Sequence, residues 1–132
     1  MIKFYRIDNR SIELCFDECG NEELCKMFTM LLKGNEVCLN AEFDMSIIRM
    51  KKSQSKHCLI YAEMDNEIDG AEFNTEEEKI VWRIDSDYVE MGIEQFSNCK
   101  KSGFFFPAEF IYIKVPKNKK LDCIYCKFIE TT

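Results

Sequence analysis

Residues 57–85, HCLIYAEMDNEIDGAEFNTEEEKIVWRID, decide how this chain is read. His57–Met64 and Lys79–Asp85 are the most strand-like runs of the central chain, rich in β-branched and aromatic residues. Between them Glu63–Glu78 carries eight acidic residues and neither Lys nor Arg. The whole chain has a net charge of −6, so everything outside this stretch sums to +2. A block this dense repels itself and belongs in solvent or against something cationic. The expectation is an acidic, loop-like segment held out between two strands.

Working outward, residues 2–7 and 11–17 read as a hairpin around Asp8-Asn9-Arg10. A helix follows, with Asn21 as its N-cap, Glu22 and Glu23 at the positive end of the dipole and Gly34 at its end. Leu24, Met27, Phe28 and Leu31 have the i, i+3, i+4, i+7 spacing of a core-facing stripe. From Glu36 to Phe43 alternation is strict: Val37, Leu39, Ala41 and Phe43 form one face of a half-exposed strand. Residues 44–52 fit a strand continuation and a short helix equally well. Past the acidic stretch, Ser86 is the expected cap of a second helix with Val89, Ile93 and Phe96 buried. Glu109–Val115 and Leu121–Ile129 close the chain as a hairpin with a lysine-rich tip at 116–120. No repeat and no interdomain linker is visible. The expected fold is α+β: one domain over residues 1–132, with two amphipathic helices on one face of a mostly antiparallel sheet of six or seven strands.

At 132 residues such a domain builds its core without disulfides or metal. The N-terminus MIKFYRIDNR lacks the uncharged core of a signal peptide, and no apolar run approaches transmembrane length. The expectation is a cytoplasmic protein that does not engage a membrane, with its eight cysteines reduced.

Chemistry narrows by elimination. The single histidine, His57, points away from its neighbour Cys58 on a strand, and no local signature marks a nucleophile. All five glycines stand isolated, which leaves no phosphate loop or dinucleotide fingerprint. The expectation is a protein that is not an enzyme and needs no cofactor. Zinc has candidate thiols in Cys15, Cys19, Cys25, Cys123 and Cys126, but these sit on strands and a helix rather than on tight turns. Calcium is the stronger alternative. Asp65, Glu67 and Asp69, then Gly70 and Glu76 at the twelfth position, match the outline of an EF-hand loop. That match departs at its third position, which is Glu, and at Glu72, where the loop is normally apolar. Nucleic acid is an unsuitable partner for a net-acidic chain.

A binding role remains. In size, net acidity, lack of catalytic motifs and α+β layout, the chain resembles the small acidic immunity proteins that bacteria carry against toxin domains delivered by competing cells. That resemblance implies a protein-binding inhibitor whose partner is a basic protein, a toxin nuclease domain being the case in which carboxylates imitate phosphates. On this reading the partner-binding residues are Asp65, Glu67, Asp69, Glu72, Glu76, Glu77 and Glu78, with Tyr61 and Trp82 as aromatic anchors if they face outward.

Overall fold

The computed structural model describes residues 1–8, 11–44, 56–68, 70–76, 78–112 and 123–130. The undecided stretch from 45 onward, Asp69, Glu77 and the lysine-rich tip lie outside the described residues. The element order is β1 (Ile2–Arg6), β2 (Ser11–Phe16), α1 (Glu18–Leu32), β3 (Val37–Asp44), β4 (Lys56–Met64), β5 (Ala71–Glu76), β6 (Lys79–Ile84), α2 (Ser86–Ser102), β7 (Glu109–Tyr112) and β8 (Cys123–Phe128). The fold is α+β as expected, with two corrections. The sheet has eight strands rather than six or seven, and it is mixed rather than mostly antiparallel. Its order is β5-β6-β4-β3-β1-β2-β8-β7. Four hairpin pairs are antiparallel, while β1–β3, β2–β8 and β4–β6 run parallel.

The added strand is β5. Ala71–Glu76, read from sequence as part of the acidic loop, pairs along its length with β6. Its charges did not prevent this, because Ala71 and Phe73 alternate with Glu72 and present an apolar face to the core.

Both helix starts fall earlier than expected. Asp17, directly after β2, caps α1: its Oδ1 accepts the Gly20 N–H at 2.8 Å and lies 2.8 Å from the N-terminal ammonium. Asn21 is therefore inside the helix, buried, and donates from Nδ2 to the Phe96 carbonyl at 3.1 Å. Asp85 caps α2 in the same way, accepting the Tyr88 N–H at 2.9 Å, so Ser86 is the first helical residue. The buried stripe of α2 is Val89, Gly92, Phe96 and Cys99, with Ile93 only half-buried. Gly92 is needed there, since a Cβ would lie 2.9 Å from the Phe28 ring.

Contrary to the reading of the bare sequence, the chain is built from two ββαββ units. Ser11–Phe16 and Lys79–Ile84 occupy equivalent positions, as do Asp17 and Asp85, and Phe28 and Phe96. The equivalence extends to single backbone bonds: Asp17 N–H donates to the Met1 carbonyl and Asp85 N–H to that of Gly70. Likewise Ile129 N–H donates to Phe16 and Asp65 N–H to Ile84. The parallel pair β2–β8 of one side answers β6–β4 of the other, matching Tyr125 with Tyr61. Equivalent residues meet at the centre, where Phe28 stacks on Phe96 (5.5 Å, 19°) and Phe4 tilts against Phe73 (5.3 Å). Only the β1–β3 pairing lacks a counterpart, as no pairing joins β5 to β7 among the described residues. The sheet is thus nearly closed and barrel-like. Phe28 of α1 touches Trp82 on β6 and Phe110 on β7, strands near opposite ends of the sheet order.

Candidate partner-binding surface

With the helices inside the curl, the outer face of β3, β4, β6 and β5 is left to solvent. Alternation decides what stands on it. Cys58, Ile60 and Ala62 of β4 and Ile80, Trp82 and Ile84 of β6 are buried in the core. His57, Leu59, Tyr61 and Glu63, and Lys79, Val81 and Arg83, therefore point outward. Register sets Tyr61 between Cys38 on β3 and Val81 on β6. Tyr61 is 42% exposed and borders a shallow concavity of about 430 Å³, whose outward-facing lining includes Cys38 and Val81. Glu36 and Glu63 stand on its rim, and the Lys79 ammonium sits 4.9 Å from the Tyr61 ring centroid.

Trp82 is not an anchor. It is fully buried, edge-on to Phe4, Phe28 and Phe73, because it shares the inward register of Ile80 and Ile84.

The acidic stretch does not act as one patch. Arg83 lies in register between Glu63 on β4 and Glu72 on β5 and gathers both, together with Asp65. Its Nη1 donates to Glu72 at 2.8 Å, its Nη2 to Asp65, and its Nε lies 2.9 Å from a Glu63 oxygen. Burial works against the guanidinium charge, but Asp65, Glu72 and Glu63 outweigh it and hold its pKa above the ordinary value. Glu72 is only 5% exposed. Two of the expected contact residues, Asp65 and Glu72, are thus occupied internally. Glu67 and Glu78 are exposed, the latter with φ of 55° in the β5–β6 turn. Glu76 ends β5 opposite Lys79. Sequence reasoning missed Arg83, although it is the only arginine in either flanking strand.

The same geometry corrects the calcium set. Asp65 N–H bonds to the Ile84 carbonyl, beside the Ala71 end of β5, whereas Glu76 is at the other end. A strand rising ~3.3 Å per residue separates those ends by roughly 17 Å, so Asp65 and Glu76 cannot close on one ion as an EF-hand does. Asp65 Oδ1 instead accepts the Glu67 N–H at 2.9 Å.

His57 and Cys58 face opposite sides as expected. His57 Nε2 is 3.0 Å from Asn40 Oδ1, while burial pushes the Cys58 thiol up to about 11. Burial and a hydrogen bond to Glu13 push Cys15 up to about 12. Of the zinc candidates, Cys15 is on β2, Cys19 and Cys25 are on α1, and Cys123 and Cys126 are on β8, with Cys126 in the core. Among the described residues no group of three or more His, Cys, Asp or Glu side chains is placed to hold a metal ion. No described helix is long and apolar enough to cross a membrane. Comparison with protein families, with curated proteins and with solved structures finds no match.

Proposed function

We propose that this protein is a protein-binding inhibitor of the immunity type, neutralising a basic toxin domain through the outer face of β3, β4, β6 and β5. A nuclease fits best as that partner, because carboxylates at the rim can take the place of phosphates in a cationic groove. The observation that carries the reading is Tyr61, half out of an apolar concavity with Glu36 and Glu63 at its edge and Glu78 exposed nearby. An aromatic anchor in an apolar centre with a charged rim is the usual anatomy of a protein interface. Arg83 supports it by fixing Glu63 and the start of the β4–β5 loop in place before any partner arrives.

The test is native mass spectrometry of the tagged protein isolated from its own host in low salt, followed by kinetics on the complex. The expected result is a stoichiometric complex with one basic protein. Tyr61→Ala should then raise the Kd by roughly ten- to a hundredfold. Reversing Glu76–Glu78 to lysine should slow association and weaken its salt dependence. A complex that tolerates Tyr61→Ala unchanged, or the lack of any basic partner, would overturn the reading.

A further inference from the structure

The two helices supply their own control, because each is the counterpart of the other. They correspond through Asp17 with Asp85 and Phe28 with Phe96, and they pack about the stacked pair Phe28–Phe96. At the same offset, Val89, Ile93 and Leu32 beside one end of the stack answer to Asn21, Cys25 and Lys100 beside the other. An apolar seam at the first end is thus replaced by polar groups at the second. There α1 and α2 border a concavity of about 850 Å³. Asn21, which lines it, is 2% exposed. Its Nδ2 donates to the Phe96 carbonyl at 3.1 Å, which fixes the amide and leaves Oδ1 buried without a partner among the described residues. A buried acceptor in that state carries its full desolvation penalty, although Val89 shows that the position accepts a valine.

We propose that this concavity binds a small oxyanion that carries its own O–H donor, hydrogen phosphate being the simplest. The charged groups of the lining are Lys26, Lys100, Lys101 and Glu22. They sum to +2 in a chain whose net charge is −6, with the Glu22–Lys100 ion pair included in the sum. That pair joins the two helices at 3.4 Å, and its side chains are 47% and 62% exposed, so it opens at little cost and releases Lys100 to the ligand. The lysines then meet the anionic oxygens, while Asn21 Oδ1 accepts the ligand's O–H. Ser97 Oγ, 3.5 Å from Cys25 Sγ, adds a hydroxyl to the same lining. Lysines alone would hold any anion. The buried amide oxygen is what selects one that can donate, since an anion without an O–H leaves it unpaired.

The test is a pair of titrations at neutral pH and constant ionic strength, one with inorganic phosphate and one with sulfate, followed by amide and side-chain NMR. Sulfate is a tetrahedral oxyanion like hydrogen phosphate but has no proton to give. The expected result is saturable phosphate binding that shifts the Asn21 side-chain amide and the Ser97 and Lys100 backbone signals, about tenfold tighter than sulfate. Asn21→Val, the residue of the other helix, should remove that preference while the chain stays folded. Glu22→Gln should tighten phosphate severalfold by freeing Lys100, and K100M/K101M should weaken both anions. Equal affinity for sulfate and phosphate would reduce the site to a patch of surface lysines and overturn the proposal. So would a preference that survives Asn21→Val, or no saturation by about 100 mM phosphate. These outcomes are independent of the Tyr61 surface, which lies on strands rather than on the helices.

Discussion

Replacing Arg83 by methionine removes the one cation shared by three carboxylates while keeping an unbranched apolar stem. Losing one partner of a buried ion pair costs about 3–5 kcal/mol. Here that figure applies only to Glu72, which is 5% exposed. The Arg83 and Glu63 side chains are 35% and 41% exposed, and pairs at that exposure contribute about 0–1 kcal/mol. Water reaching the vacated edge tempers the Glu72 penalty as well, so the expected net loss is about 2–3 kcal/mol. For a chain of this length that corresponds to a Tm roughly 7–11 °C lower. Urea unfolding of wild type, R83M, E72Q and the double variant measures it. The double variant should regain more than half of the R83M loss, because Glu72→Gln removes the stranded charge. R83M within about 0.5 kcal/mol of wild type, or a double variant no better than R83M, would refute the idea that Arg83 neutralises this part of the acidic stretch.

Two further outcomes follow from the packing and the caps. Gly92→Ala should lower stability by about 1–2 kcal/mol, because its Cβ meets the Phe28 ring at 2.9 Å and that ring is stacked on Phe96. If the Tm instead rises, helix propensity outweighs the contact and the Phe28 ring yields to the added methyl. Asp17 is held below the usual carboxylate range by its bond to the N-terminal ammonium and by the Gly20 N–H. A depressed folded-state pKa adds stability that is complete above the unfolded value of about 3.9 and is lost as pH falls through the folded one. Asp17→Asn should therefore flatten the acid limb of a stability–pH curve below about pH 4, and an unchanged limb would contradict this.

Much of the layout was legible because alternation and helical spacing are local. The inward faces of β3 and α1 follow directly from Val37, Leu39, Ala41 and Phe43 and from Leu24, Met27, Phe28 and Leu31. The caps were misplaced by one residue at α2 and by four at α1. In both cases a single aspartate joins strand to helix, and Cys19-Gly20 gave no sign that α1 had already begun. Density of charge concealed β5, since its two inward residues, Ala71 and Phe73, are outnumbered by the carboxylates around them.

By itself the sequence determined which faces are apolar and where charge collects. Those properties depend on neighbours a few positions apart. Tertiary structure alone decided that the chain is two like units. Its equivalent residues lie 68 positions apart at Phe28 and Phe96, 69 at Phe4 and Phe73, and 64 at Tyr61 and Tyr125, so no single period marks the repeat. It also decided the fate of the charges. Glu63, Asp65 and Glu72 become partners of Arg83, and Trp82 goes to the core, because parallel pairing of β4 with β6 and antiparallel pairing of β5 with β6 bring together residues that sequence distance keeps apart.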